Sequence, residues 1–360
     1  MSLIKIAILG GGNGCYAAAA DLSEQGHEVR FWRRNTLELK PVLDSGAITL
    51  KDARGEREVA IALATSDIAA ALKGARLVVI PSPATAQDDI AAAIAPFLCD
   101  GQVVFLPPGS FGAYTMAQAV KKAGNTSRVL WSETGTLPYL ARKHGERAIN
   151  ITVRAIHLPT GVYPAKYADE ALSFIRNAYP AAHACGNILS GALMNAGPII
   201  HPPLMIMNAA PLQHFEKWDI HNEGTQPAVR AVTDQLDRER IAVRTALGFG
   251  APHYPLADHY NSDKWMYGDA HKKLVKSGDW REAINLKTHR YVTEDIEIGL
   301  AFLASVAHWA EVDAPITQGI LAITSGILGW DLRKGSRTLE ALGLAHLTPT
   351  ALNQLLHEGT

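Results

Sequence analysis

The sequence predicts an α/β domain built on a parallel sheet at residues 1–185, followed by an all-helical domain at residues 186–360. Three observations predict this fold class. The chain opens with a short apolar strand that runs into a glycine cluster, and apolar strands then alternate with helical stretches. Beyond about residue 181 no strand-like segment is recognised, and apolar residues recur at helical spacing. A chain of 360 residues is long enough for two such domains.

The opening strand, residues 5–9, leads into a glycine turn and an alanine-rich helix. Gly10 allows the turn, and Gly12 lets the backbone approach a pyrophosphate without a Cβ in the way. The helix N-terminus behind the turn offers N–H groups and partial positive charge to the same anion. Cys15 takes the third small position, where the usual pattern has glycine. The first domain is therefore predicted to be a Rossmann-type dinucleotide-binding domain, with cofactor contacts from Gly10, Gly12, Asn13 and Gly14.

A second strand, residues 28–32, ends at the position that selects the nucleotide. An acidic side chain there would bind the ribose 2′-hydroxyl of NAD, but the sequence has Arg33 and Arg34. Two guanidinium groups suit a 2′-phosphate, with no carboxylate to repel it. We expect NADP(H) as the favoured cofactor, bound by Arg33 and Arg34, with NAD(H) as the alternative. The competing interpretation is a solvated pair of arginines at a strand end.

Further strands and helices follow along the chain. Strands are predicted at residues 77–80, 102–106, 129–134 and 148–156. Helices are predicted at residues 88–95, 229–247, 294–310 and 316–328. Two of the strands end in Pro/Gly loops, at residues 81–83 and 107–110, and ligands of parallel sheets lie beyond such strand ends.

Charge and cysteine usage limit the partners and the compartment. The 34 basic and 35 acidic residues nearly cancel, so there is no electrostatic case for nucleic acid or a membrane surface. Lys5 and the strand that enters the glycine cluster predict no signal peptide, and with the three dispersed cysteines they lead us to expect a cytoplasmic location. Residues 188–210 are strongly apolar, and a transmembrane helix is the rival interpretation. Asn195, His201 and two prolines in this segment favour a buried central helix of a soluble enzyme.

Three side chains of the second domain are candidates for chemistry. His201 lies in apolar sequence, and Arg290 and Asp295 lie five residues apart at the entry to a helix. A histidine oriented by a carboxylate can transfer a proton near neutral pH, and an arginine can hold a substrate carboxylate. The alternatives are a core histidine, a surface arginine and an aspartate that stabilises a helix N-terminus.

These candidates belong to segments that resemble the opine dehydrogenases, the octopine/nopaline dehydrogenase family. The resemblance is distributed over nearly the whole chain. Its segments are residues 9–14, 133–139, 195–202, 290–300 and 335–344. Five segments in the right order are typical of this family.

The resemblance implies an NAD(P)-dependent oxidoreductase acting on CH–NH donors. Such enzymes couple the amino group of an amino acid to an α-keto acid such as pyruvate and reduce the imine, or run the reverse oxidation. By resemblance, His201 is the catalytic histidine, Asp295 its orienting carboxylate, Arg290 the amino-acid carboxylate ligand, and Thr136 a keto-acid ligand. The helical domain is expected to be like the C-terminal domain of 6-phosphogluconate dehydrogenase, and a homodimer is expected.

The chain departs from the family pattern at three positions. His289 is an extra residue before Arg290, and Ala141 stands where relatives often have cysteine. Arg33 replaces an acidic residue of NAD-using members, which supports NADP(H).

Two alternative functions compete with this interpretation. A ketopantoate-reductase-like enzyme acting on 2-hydroxy acids needs a lysine that is missing between Lys166 and Lys217. A non-catalytic NADPH-sensing protein could use the same fold. Convergence of His201, Arg290 and Asp295 would favour an enzyme over a sensor.

Overall fold

The computed structural model describes residues 2–359, which form two compact units. The first unit runs up to Ala192 and includes His357–Gly359, and the second runs from Leu193 to Leu356. The strands of the first unit are β1 Lys5–Leu9, β2 Glu28–Trp32, β3 Ala47–Asp52, β4 Gly55–Ala60, β5 Leu63–Thr65, β6 Leu77–Val79, β7 Val103–Leu106, β8 Leu130–Thr134, β9 Tyr139–Lys143, β10 Ala148–Arg154, β11 Leu158–Tyr163 and β12 Ala182–Asn187. Its α-helices are α1 Asn13–Glu24, α2 Thr36–Ser45, α3 Ile68–Leu72, α4 Gln87–Ile94, α5 Gly112–Lys122, α6 Ala168–Ala178 and α7 Ile188–Ala192. Short 3₁₀ turns occupy Ala84–Ala86, Ala95–Phe97 and Ala165–Tyr167.

The main sheet has eight strands in the order β12-β11-β8-β7-β6-β1-β2-β5. Adjacent strands of this sheet are parallel, except that β11 is antiparallel to β8. The central strands β1, β6 and β7 are apolar and buried, as expected for a parallel sheet covered on both faces. This confirms the predicted Rossmann-type fold class and places the loops after β1, β6, β7 and β8 at one sheet edge.

A second sheet of four strands, in the order β4-β3-β10-β9, was not predicted. It packs on α1, which also contacts the main sheet. Residues 14–22 of α1 are buried, because a helix between two sheets has no solvent-facing side. Alanines at Ala17–Ala20 let both sheets approach closely, so the alanine-rich sequence of α1 has a packing reason.

The first unit extends beyond the predicted boundary at residue 185, which falls inside β12. The expectation that strands end by residue 181 was wrong, because β12 is an edge strand of small and polar residues. After β12, α7 packs on β8 and β11. A Cβ at Gly161 would overlap the backbone of Asn187, so glycine permits this close contact.

The chain after Ala192 is helical. Its helices are α8 Gly197–Met207, α9 Ala209–His214, α10 Pro227–Ala246, α11 Ala257–Asn261, α12 His271–Ser277, a π-helix at Tyr291–Leu300, α13 Ala301–Trp309, α14 Pro315–Leu328 and α15 Pro349–Glu358. A 3₁₀ turn lies at Leu332–Lys334, and one isolated bridge joins Trp218 to Glu282. The three predicted helices of this region are present, with the second one divided between the π-helix and α13.

The apolar segment at residues 188–210 is not the single buried helix that the sequence predicted. It forms α7 and α8, separated by residues 193–196, and ends in α9. The Asn195 side chain accepts the N–H of Gly197, 3.0 Å away, and so starts α8 as a new helix. Among residues 2–359, no helix combines the length and the apolar character needed to span a membrane.

Candidate active site

His201 and Asp295 are in direct contact. The Nδ1 atom of His201 lies 2.7 Å from Oδ2 of Asp295, and the two side chains are only 14% and 7% exposed. His201 is on α8 and Asp295 on the π-helix, and these helices pack closely where glycines face the partner. A Cβ at Gly197 would overlap Asp295, and one at Gly299 would overlap Pro198. The two glycines therefore allow the approach that joins the histidine to the carboxylate.

The π-helix brings Asp295 and Arg290 into electrostatic contact. The N–H of Ala301 donates to the carbonyl of Ile296, five residues back, which is the π-helical pattern. In an α-helix five residues advance by about 500°, which would leave the two side chains about 140° apart. Here the positive charge of Arg290 favours the ionised form of Asp295. The wider turn of the π-helix therefore places Arg290 and Asp295 on the same side of the helix, whereas α-helical spacing would separate them.

Tyr291 lies between the candidate residues, a role that the sequence did not predict. Its ring stacks on His201 at a centroid distance of 3.7 Å and an angle of 15°. The guanidinium of Arg290 lies 5.0 Å from the same ring. Tyr291 precedes Asp295 by four residues, and this spacing was the only local signal for it. Its ring therefore restricts the orientation of the histidine.

Arg290 is the most exposed of the three candidate residues His201, Asp295 and Arg290. Its side chain is 44% exposed, whereas the side chain of Glu294, whose carboxylate lies 3.3 Å from it, is 8% exposed. One carboxylate engages only part of a guanidinium group, which has five N–H donors. Arg290 can therefore be held by Glu294 and still bind a second carboxylate.

The carboxyl group of Asp295 is shifted toward neutral pH. Burial raises the pKa of Asp295 to about 7, although the positive charge of Arg290 acts in the opposite direction. Two titratable groups at hydrogen-bond distance share their protons, so His201 and Asp295 titrate as a pair. Such a pair can gain or lose one proton near neutral pH, which is what general acid–base catalysis requires.

His221 extends the site and was also missed. Its ring lies 5.9 Å from the ring of His201 and is nearly perpendicular to it. Asp219 accepts the N–H groups of His221 and Asn222 at 2.9 and 3.1 Å and so shapes the turn. Asn208, at the end of α8, donates to the carbonyl of Gly224 at 3.1 Å. The helix that carries His201 therefore also anchors the turn that carries His221. No local sequence pattern predicts this position of His221.

Thr136 lies in the first unit, in the loop that follows β8. It is 7% exposed. The next residue, Leu137, lies beside the glycine turn, because a Cβ at Gly14 would be 2.9 Å from Leu137. The buried carboxylate of Glu133 accepts the N–H groups of Phe111 and Ala113 at 2.7 and 2.9 Å. These bonds hold the loop after β7 against β8, at the sheet edge where Thr136 is found.

The glycine turn has room for an anion. Gly10 has a φ of +124°, which favours glycine, and a Cβ at Gly12 would meet no atom within 4 Å. Gly12 caps α1 without a side-chain hydrogen bond. The first N–H groups of α1 lie at this open position, where the sequence predicts a pyrophosphate. The Asn13 side chain is engaged within the protein, because it accepts the N–H of Lys143 at 3.0 Å.

The surroundings of Arg33 differ from the expectation in one respect. Arg33 packs against Gly11 and donates to the Tyr16 hydroxyl at 3.2 Å, but it also forms an ion pair with Glu38. The expectation of no carboxylate here was wrong. Asn35 caps α2 and binds the Glu38 carboxylate at 2.8 Å, so the helix start brings Glu38 to the arginine.

Arg34 and Lys143 complete the positive charge near the turn. Arg34 pairs with Asp89 at 3.0 Å, with both side chains exposed, and such pairs contribute little stability. Lys143 Nζ lies 3.9 Å above the Tyr16 ring, and burial followed by repulsion from Arg33 lowers its pKa. Sequence reasoning did not single out Lys143, whose strand belongs to the unpredicted second sheet.

Comparisons with known proteins agree with both halves of this description. A family model described as NAD/NADP octopine/nopaline dehydrogenase, alpha-helical domain, matches residues 184–328. A model described as NAD-dependent glycerol-3-phosphate dehydrogenase N-terminus matches residues 5–106. The opine dehydrogenase of Arthrobacter sp. (strain 1C) is 31% identical over 355 residues, which cover 96% of this chain and 97% of that protein.

Two solved structures are similar over almost the full length. Octopine dehydrogenase in complex with NADH and agmatine has a TM-score of 0.70 at 18% identity, covering 99% of this chain and 98% of that chain. Yersinopine dehydrogenase with NADP⁺ bound has a TM-score of 0.67 at 15% identity, with the same coverages of 99% and 98%. At these identities the structures establish the shared fold.

The match to the Arthrobacter protein extends beyond a shared fold, since the 31% identity covers nearly all of both chains. It confirms the family resemblance that five sequence segments predicted. Both halves of the chain also match models of NAD-linked or NAD(P)-linked dehydrogenases. The chain therefore belongs to the opine dehydrogenase family of NAD(P)-dependent oxidoreductases.

Proposed function

We propose that this enzyme joins the amino group of an amino acid to a pyruvate-like α-keto acid and reduces the imine, with NADPH as the preferred reductant. The reverse oxidation uses the same groups. The observation that carries the proposal is the buried contact between His201 and Asp295, with Arg290 beside them. The relatives support it, since one was solved with NADH and agmatine and another with NADP⁺.

The residues of the glycine turn fit a nicotinamide dinucleotide. The space at Gly12 would admit a pyrophosphate, with Gly10 and Gly14 shaping the turn and the N–H groups of Asn13 and Gly14 at the helix start to bind it. Arg33 would hold a 2′-phosphate, with Arg34 at the rim. When bound, the nicotinamide cofactor supplies the hydride.

His201 carries the proton transfers. Because Nδ1 faces Asp295, the other ring nitrogen, Nε2, exchanges protons with the substrate. Nε2 passes one proton from the attacking amine to the keto oxygen, which becomes a hydroxyl group. It then donates a second proton to this hydroxyl, which leaves as water, and the protonated imine that remains accepts the hydride. Asp295 stabilises the charged imidazole during this cycle, and Tyr291 restricts the ring to one plane.

Binding of the two substrate carboxylates brings the amine of one substrate to the carbonyl carbon of the other. Arg290 binds the carboxylate of the amino acid, and its contact with Glu294 limits the positions open to it. Thr136 contributes to keto-acid binding. Holding two reactants in place can lower the barrier by several kcal/mol, up to about 7–11 kcal/mol.

The two alternatives find less support. A ketopantoate-reductase-like enzyme needs a lysine where this chain places the histidine–carboxylate pair. A sensor has no need for a buried histidine held by an aspartate with a pKa of about 7.

The test is NADPH oxidation with pyruvate, with and without a panel of amino acids, repeated with NADH. Oxidation that requires both a keto acid and an amino acid supports reductive condensation. Oxidation with a keto acid alone would support the hydroxy-acid alternative, and no oxidation with any pair would support the sensor.

Arg33 is expected to determine the cofactor preference. In Arg33→Gln we expect kcat/KM for NADPH to fall by about 10–100-fold, with little change for NADH, because hydrogen bonds to charged groups contribute about 1.5–3 kcal/mol. Arg34→Gln is the matched control, and its effect should be smaller because Arg34 is exposed. Equal losses with both cofactors in Arg33→Gln would show that Arg33 does not read the 2′-phosphate.

Two further proposals concern the assembly and the compartment. We propose a homodimer, which light scattering in solution would test. The cytoplasmic location rests on the odd, dispersed cysteines.

A further inference from the structure

The second unit contains a cationic cavity that the proposed reaction does not yet use. Its volume is about 420 Å³. Among the described residues, no acidic side chain lines it. The polar and charged side chains that matter are His221, Thr225, Arg230, His271, Lys272 and Lys276. A cavity with this lining attracts an anion.

Arg230 is the fixed charge of the cavity. Its guanidinium lies 4.6 Å from the Tyr260 ring centroid, which holds the side chain in place. Within residues 2–359 its Nε atom is buried and makes no hydrogen bond. Burial raises the pKa of Asp234, one turn further along α10, and the charge of Arg230 acts weakly in the opposite direction. Asp234 does not line the cavity. A buried guanidinium donor without a partner favours an anionic ligand.

The two lysines supply the remaining charge. Lys272 and Lys276 are four residues apart on α12, so they lie on the same face of that helix. His271 adds no charge near neutral pH, since burial and then repulsion from Arg230 lower its pKa. The cavity therefore has three permanent cations on its wall.

His221 connects this cavity to the proton-transfer pair. It lines the cavity, and its ring lies 5.9 Å from the His201 ring and 6.2 Å from the Tyr291 ring. Tyr291 also lies against Arg290, the proposed ligand of the amino-acid carboxylate. The Tyr291 and His221 rings therefore connect Arg290 to the cavity wall through contacts of 5.0 and 6.2 Å.

We propose that the cavity binds a carboxylate in the side chain of the amino substrate, so that the enzyme prefers acidic amino acids as amino donors. This inference rests on the proposed function and specifies its substrate class. Arginine and lysine side chains commonly bind carboxylates, and Arg230 can do so through two parallel hydrogen bonds.

The first test compares acids with their amides. We expect kcat/KM for L-glutamate or L-aspartate, with pyruvate and NADPH, to exceed that for L-glutamine or L-asparagine by at least about tenfold. O-phospho-L-serine serves as a second anion. A preference for the phosphate would overturn the carboxylate assignment, and equal use of acids and amides would overturn the inference while leaving the proposed function intact.

The second test uses variants of the cavity wall. Arg230→Gln and the double variant Lys272→Gln/Lys276→Gln should raise KM for the acidic amino acid by at least about tenfold, with KM for pyruvate and NADPH unchanged. Lys273→Gln is the matched control, because Lys273 is exposed on the same helix and does not line the cavity. Thermal denaturation checks that each variant is folded. The exposed lysines keep the test valid if Arg230→Gln is unstable.

Each outcome decides the inference. A change in KM for pyruvate instead of the amino acid would assign the cavity to the keto acid and overturn it. Unchanged kinetics in the variants would overturn it even if acids are preferred. Failure of every amino acid to support oxidation would overturn both the inference and the proposed function.

Discussion

His201→Ala is expected to lower turnover by about 10²–10⁴-fold while NADPH binding stays the same, because a positioned acid–base group contributes that much to a rate. The loss should appear in kcat, since His201 lies against Asp295 and Tyr291 and not in the glycine turn. Steady-state kinetics gives the turnover, and titration of NADPH fluorescence gives the binding constant.

His289→Ala is the control for this variant. His289 is also a histidine against Tyr291, with ring centroids 4.4 Å apart, but the two rings are inclined at 68°, whereas the His201 ring is stacked on Tyr291 at 15°. We expect His289→Ala to retain turnover within a few-fold. Unchanged turnover in His201→Ala would remove His201 from the mechanism, and a loss of NADPH binding would point to unfolding.

The parts of the fold that the sequence predicted are those with strong local patterns. The strands β1, β6 and β7 are continuous apolar runs that end in glycine or proline, and each is present. The long helices α10 and α14 have apolar residues at helical spacing. Burial on one side leaves a period in the sequence and burial on both faces leaves a continuous apolar run, and both can be recognised without the structure.

The missed parts have shorter or weaker patterns. The strands β3 and β4 carry charged residues on their exposed face, and β12 contains mostly small or polar residues. The break at residues 193–196 lies inside an apolar run, where composition is uninformative and the Asn195 hydrogen bond is decisive. Glu38 reaches Arg33 through a helix cap, a contact that sequence distance does not reveal.

The candidate site shows the same limit. His201 and Asp295 are 94 residues apart, so their chemistry and the family resemblance could suggest the pair, but no local sequence pattern predicts their contact. The interaction of Arg290 with Asp295 depends on a π-helix, whose wide turn no propensity predicts. His221 had no signal at all, because its place is set by Asp219 and Asn208.

Asp295→Asn should lower turnover about as much as His201→Ala and should also change the pH dependence of the rate. The asparagine keeps the shape of the side chain but loses the charge that stabilises a protonated His201, so we expect kcat to fall by about 10²–10⁴-fold. Glu297→Gln is the matched control, because it makes the same change of charge on the same π-helix outside the pair. Its turnover should stay within about twofold of the wild type.

The pH profile separates a proton-transfer role from a packing role. Burial raises the pKa of Asp295 to about 7, so the His201–Asp295 pair loses a proton near that pH. Condensation and reduction need the pair to deliver a proton, so their rate should fall as the pH rises through about 7. The reverse oxidation needs the pair to accept a proton, so its rate should rise over the same interval.

In Asp295→Asn both inflections should move away from pH 7, because the group that shares the proton is gone. If Asp295 only packed against α8, the variant would be slower or less stable but would keep the inflections of the wild type, and that result would exclude Asp295 from the proton transfer.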